Sequence, residues 1–172
     1  DNSLDLTFTG EGADAYATSL HHPVVLGMAR FFQRIEKAPL GLTIRVENGI
    51  PLGSGLGAEV AFMVAGVLAA NDIMGFPFKR DEAYGIAAQI SRADHAVAAL
   101  NGGLTTSLLD EGRLHYRQMP VKGMQIAIAL PRIDHYTRAP LPEQIATKSA
   151  LDTLSRQPLL LAALRDGDFD LL

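Results

Sequence analysis

The chain turns on one stretch, Pro51-Leu52-Gly53-Ser54-Gly55-Leu56-Gly57, which opens directly onto the apolar run Ala58-Glu59-Val60-Ala61-Phe62-Met63-Val64-Ala65-Gly66. Glycines at alternate positions let the backbone take conformations closed to other residues and bring peptide N–H groups close to an anion. A helix starting behind them adds unsatisfied N–H donors and the positive end of its dipole. The combination predicts a cradle for a phosphate group, with Pro51, Gly53, Ser54, Gly55, Leu56, Gly57, Ala58 and Glu59 as its lining. A glycine-rich turn that merely caps a core helix is the plainer alternative.

The spacing excludes a Walker loop, because no Lys-Ser or Lys-Thr follows the last glycine. It fits the looser dinucleotide fingerprint as Gly53-x-Gly55-x-x-Ala58. That fingerprint needs a strand running straight into the glycines and an acidic residue closing a second strand about 20 positions later. Here Asn48-Gly49-Ile50-Pro51 interrupts the approach, and Asp72 falls in Asn71-Asp72-Ile73-Met74-Gly75, which reads as a helix end.

The rest of the chain is that of an ordinary folded protein. At 172 residues, with 48% hydrophobic and 20% charged side chains, it can bury a core of its own. A net charge of -4, with acids and bases interspersed, argues against a nucleic-acid surface, which would cluster its basic residues. The absence of cysteine excludes a disulfide scaffold and thiolate metal sites. Val60 to Ala70, the longest apolar run, is too short to span a bilayer.

Hydrophobic periodicity predicts strands at Leu4–Thr9 and Leu40–Glu47, and helices at Pro23–Ile35 and Ala58–Asn71, with further helices starting at Asp81 and Asp94. The Ala58–Asn71 helix is apolar nearly all round and is expected to be central. Leu104–Leu109 and Arg113–Met119, joined by Asp110-Glu111-Gly112, read as a hairpin. Gln125–Leu130 reads as a buried strand, followed by a polar loop holding Arg138 and helices at 143–154 and 159–164. Strands and helices alternate without regular βαβ units, so the expected class is α+β, a single domain over residues 1–172.

With the residues set out, a family resemblance emerges. The glycine loop resembles the second motif of the GHMP kinases, Pro-x-x-x-Gly-Leu-Gly-Ser-Ser-Ala followed by a buried helix, and its neighbours are similar to homoserine kinases. Asp94-His95 through Gly102-Gly103 resembles the family's His-x-Asp-Asn stretch ending in Gly-Gly. Arg138-Ala139-Pro140-Leu141-Pro142 is similar to its substrate-holding Ala-Arg-Ala-x-Leu-Pro segment.

The resemblance implies a partial ribosomal protein S5 domain 2-like fold, of the GHMP kinase N-terminal domain type. A family strand is expected to precede Asp1, and most of the C-terminal domain to lie beyond Leu172. It implies ATP and Mg2+, a cytoplasmic protein, and transfer of phosphate to a small amino-acid alcohol, L-homoserine, in threonine biosynthesis. Asp94 and His95 take the catalytic positions, and His95 and Arg138 the substrate positions; no nucleic acid or membrane is involved, and a homodimer stays open.

The departures are specific. The two motif serines are Ala58 and Glu59, the family's metal-binding glutamate falls at Tyr84, and Arg92 and His95 replace a histidine and an asparagine. Glu59 is expected to hold the magnesium, since hard cations prefer oxygen ligands; a helix-start carboxylate is the plainer alternative. Asp94 as a helix cap and Arg138 as a solvated loop residue are the corresponding alternatives for those two. At the level of the chain, the alternative is an inactive relative that keeps the fold or an anion site. His21-His22-Pro23, where the family has Asp-Asn-Leu, lacks the spacing of a zinc site.

Overall fold

Leu6 and Phe8 point to the same side of a strand, and both are buried, so the chain begins as its alternation predicts: β1 spans Leu4–Gly10. The computed structural model describes residues 3–15, 20–130 and 142–171. These form two compact units, Asp1–Gln118 and Met119–Leu172.

In the first unit β1 is followed by α1 (Pro23–Ile35) and β2 (Leu42–Asn48). Proline at the first helical position has its φ already set and lacks only an N–H that would have had no helical partner. β2 pairs with β1 in parallel, from Leu4 opposite Leu42 to Gly10 opposite Asn48. The first three elements therefore make one βαβ crossover, which the mixed spacing of apolar residues did not reveal.

α2 (Ala58–Ile73) packs on α1 so closely that no side chain fits between them. A Cβ on Gly27 would strike the Met63 carbonyl, and one on Gly66 the Val24 carbonyl. Around this contact Val24, Met28, Phe31, Phe62, Val67 and Ala70 form the core with Phe8 from β1. α2 is central, as expected, but not enclosed: Ala65, Leu68, Ala69 and Ile73 are exposed along one side within this unit.

α3 (Arg80–Ile90) buries Ala83, Ile86 and Ala87 on one face, and α4 (Ala93–Asn101) buries Ala96 and Val97. β3 (Leu104–Asp110) and β4 (Arg113–Met119) form a second two-stranded sheet. Their two-residue turn has φ of 45° at Glu111 and 78° at Gly112. Two left-handed residues match the twist of the flanking strands, as a hairpin turn of this length requires.

The second unit corrects two expectations. Gln125–Leu130 forms no strand: it is irregular and exposed, because its alternating Ile126, Ile128 and Leu130 meet no hydrogen-bonding neighbour among the described residues. The two helices expected at 143–154 and 159–164 are one, α5 (Thr147–Asp166), which runs through Pro158. Proline removes one N–H and crowds one carbonyl but keeps a helical φ, so twenty residues of helix absorb it. Gly167, at φ 74°, ends α5.

Candidate functional site

The glycine loop is anchored at its root by Asn48, the last residue of β2 and a buried one. Its side-chain amide donates to the carbonyls of Glu11 (2.7 Å) and Ile50 (2.9 Å), and its Oδ1 accepts from the Ile50 N–H (2.9 Å). The Glu11 N–H in turn donates to the Asn48 carbonyl at 2.8 Å. One residue thus ties the end of β2, the start of the loop and the turn after β1 together.

Within the loop, Ser54 shapes the backbone: its hydroxyl donates to the Pro51 carbonyl at 2.6 Å and accepts from the Leu56 N–H at 3.3 Å. The three glycines all lie in the left-handed region, with φ of 67° at Gly53, 80° at Gly55 and 83° at Gly57. This is where non-glycine residues are strained. A Cβ built on Gly53 or Gly55 meets nothing within 4 Å, so the space over the loop is open. Gly57 is the N-cap of α2, and no side chain caps that helix end. Ala58 is buried beneath it, and Glu59 is exposed in the first turn.

α4 brings the second group to the same place. His95 lies against the loop: its Nδ1 is 3.7 Å from where a Cβ on Gly57 would stand. Its Nε2 is 3.8 Å from Asp94 Oδ2. Asp94 is gripped on both oxygens by Arg92, Nε to Oδ1 at 3.2 Å and Nη2 to Oδ2 at 2.8 Å. That guanidinium, helped by the His95 backbone amide, holds the Asp94 carboxyl below the usual carboxylate range against a smaller opposing effect of burial. Asp94 is not the cap of α4; Arg92 is the capping residue, and no side chain closes that end.

The structure thus sets His95 beside Gly57 and beside Asp94. Arg138 and Thr137 lie outside the described residues, so their expected substrate role has no geometry here. Tyr84, at the position of the family's metal-binding glutamate, is buried and its hydroxyl accepts from Arg80 Nε at 2.5 Å. Among the described residues no group of three or more His, Asp or Glu side chains is arranged to hold a metal. The Arg92 fork on Asp94 was not read from the sequence; a basic residue two positions before an Asp at a helix start was the signal available.

Two other features lie apart from the loop. His22 caps α1, its Nδ1 accepting from the Val24 N–H at 3.2 Å, and burial lowers its pKa. An open trough of about 1020 Å³ runs between α3 and the β3–β4 hairpin, lined by Asp81, Gln89, Ser107, Arg113 and Tyr116 among others.

Comparison with known proteins points the same way as the geometry. Residues 23–103 match the GHMP kinases N terminal domain. The homoserine kinase of Carboxydothermus hydrogenoformans is 30% identical over 164 residues, covering 93% of this chain and 54% of that protein. The homoserine kinase of Caldanaerobacter subterraneus subsp. tengcongensis is 31% identical over 176 residues, covering 99% and 56%. The chain thus spans about half the length of the curated relatives it matches.

Two solved structures share the fold. The homoserine kinase of Cytophaga hutchinsonii superposes with a TM-score of 0.69 over 98% of this chain and 56% of that one, at 24% identity. A putative homoserine kinase of Listeria monocytogenes gives 0.68 over 97% and 57%, at 17% identity. The α+β class and the S5 domain 2-like architecture expected from the sequence are thereby met. Through the N-terminal domain it carries, this chain belongs to the GHMP kinase family.

Proposed function

We propose that this chain supplies the nucleotide-binding half of an ATP-dependent kinase that phosphorylates the hydroxyl of a small amino-acid alcohol, L-homoserine, in the cytoplasm. The observation that carries the reading is the loop itself: three left-handed glycines, open space above Gly53 and Gly55, and a helix end with no side-chain cap. Phosphoryl transfer asks a protein chiefly to position the reactants and stabilise the charge on the phosphates. The backbone N–H groups of Gly53, Ser54, Gly55, Gly57 and Ala58 are the donors for that purpose, that of Leu56 being taken by Ser54 Oγ.

The residues present suit Mg2+ in one respect. Magnesium commonly takes one or two protein carboxylates and completes its shell with phosphate oxygens and water. Glu59, exposed in the first turn of α2, would be that carboxylate. Bound Mg·ATP supplies the phosphoryl group and, through the metal, offsets the phosphate charge. His95 faces the acceptor hydroxyl with Asp94 beside it, and Arg138 pairs with the carboxylate of the amino acid through a two-pronged contact.

The test is calorimetry with Mg·ATP on the purified chain, followed by a coupled assay for ADP with L-homoserine. Binding that Gly55→Val abolishes and Glu59→Gln weakens, with ADP formed only when homoserine is present, is the expected result. Nucleotide binding without turnover would favour a relative that keeps only the anion site. The engagement of both Asp94 oxygens by Arg92 supports that second reading. No binding at all would end both.

A further inference from the structure

Asp94 stands one imidazole away from the glycine loop, since His95 reaches toward it with Nε2 (3.8 Å) and toward Gly57 with Nδ1 (3.7 Å from a Cβ there). A bare carboxylate in that place opposes a polyphosphate, because like charges repel. Arg92 removes the opposition. Its fork occupies Oδ1 at 3.2 Å and Oδ2 at 2.8 Å. The guanidinium keeps its charge at any working pH, so the pair is neutral as a unit.

The pair has little to do with holding the fold. Its two side chains are 59% and 55% exposed, and ion pairs that exposed contribute little to stability. The ligand is where its charges count.

We infer that Arg92 is a positioning residue of the nucleotide site. It cancels the charge of Asp94 and fixes that carboxylate as the group toward which His95 turns, so that the imidazole stays against Gly57 and incoming phosphates meet no uncompensated negative charge. Asp94 then acts through His95 and does not ligate the metal. The inference rests on the nucleotide reading given above.

The experiment measures Mg·ATP dissociation constants at low and high salt for the unmodified chain and for Arg92→Ala, Arg92→Lys, Asp94→Asn and the double variant Arg92→Ala/Asp94→Asn. Arg92→Ala is expected to weaken binding roughly three- to tenfold at low salt, with the difference shrinking as ions screen the exposed carboxylate. Asp94→Asn in that background restores affinity. Asp94→Asn alone tightens it, and Arg92→Lys keeps most of it because the charge remains.

A role confined to folding would produce neither the salt dependence nor the rescue. Arg92→Ala binding like the unmodified chain, a double variant no better than Arg92→Ala, or an Asp94→Asn variant that binds more weakly would overturn the inference while leaving the nucleotide reading in place. An unmodified chain that binds no Mg·ATP would remove both.

Discussion

His22 is packed between the rings of Phe8 (5.0 Å) and Phe62 (5.2 Å), where its Nδ1 accepts the Val24 amide and so caps α1. A protonated ring has no lone pair to give that amide, and burial lowers its pKa below the ordinary histidine value. The sign follows from linkage. In the unfolded chain the ring takes up its proton near pH ~6.5, and in the native state only at lower pH, so the unfolded state binds more protons in between. This contribution to stability is complete above the unfolded value and drains away as pH falls through it toward the native one. Thermal melts between pH 8 and pH 5.5 are expected to show the midpoint falling on the acid side, with a shallower fall in His22→Asn, which keeps a capping acceptor but does not titrate. Equal slopes for the two proteins would remove His22 as the cause.

At the same scale the glycine loop was legible in the sequence and Asn48 was not. Alternate glycines before an apolar helix announce left-handed backbone, and Gly53, Gly55 and Gly57 adopt it. Asn48 looked like an interruption between strand and loop, whereas its amide joins both to the turn after β1. Single-residue periodicity carries no trace of a side chain that hydrogen-bonds backbone 37 residues away. Arg92 was hidden for a related reason: its partner is two positions along the chain, a spacing that matters only once a helix start brings the two side chains together.

Among elements, the α1–α2 contact determines how the loop is presented, because α2 carries the loop at its N-terminus. Val24 and Met63 carbonyls press on Gly66 and Gly27, so the two backbones touch. Gly66→Ala must push the helices apart, and overpacking of this kind costs about 1–3 kcal/mol or more; a lowered denaturation midpoint with an unchanged slope is the expected outcome. The β3–β4 turn offers the opposite case. Glu111 sits at φ 45°, a conformation that asparagine tolerates better. Glu111→Asn is expected to stabilise the chain by a few tenths to about 1 kcal/mol, read from the same denaturation curves.

Element types in the first unit followed from periodicity most directly where one face is buried, as in β1, α1 and α3. Where burial fails, so does the pattern. Gln125–Leu130 alternates like a strand and is exposed, and α5 buries only Ala163 while passing through a proline that periodicity treats as a stop. Close helix contact was equally illegible, since Gly27 and Gly66 reveal their purpose only when the facing carbonyls are known.

For the molecule as a whole, a net charge of -4 does not favour an ATP anion, so binding depends on local donors at the loop and not on a general field. Among the described residues no helix is long and apolar enough to cross a membrane. The trough between α3 and the hairpin is the competing cavity, and it is bordered by Asp81 and Glu82 as well as by Arg34, Arg113 and Arg117. The loop differs from it in joining open space over Gly53 and Gly55 to a helix start that no side chain caps.

That contrast sets the most direct test, an amide-resolved NMR titration of the 18.4 kDa chain with Mg·ATP. Shifts concentrated at Gly53, Gly55, Gly57 and Ala58, with smaller ones at His95, are the expected result. No shifts at those amides, or shifts confined to Asp81, Gln89 and Tyr116 along the trough, would contradict the claim that this loop receives the phosphates.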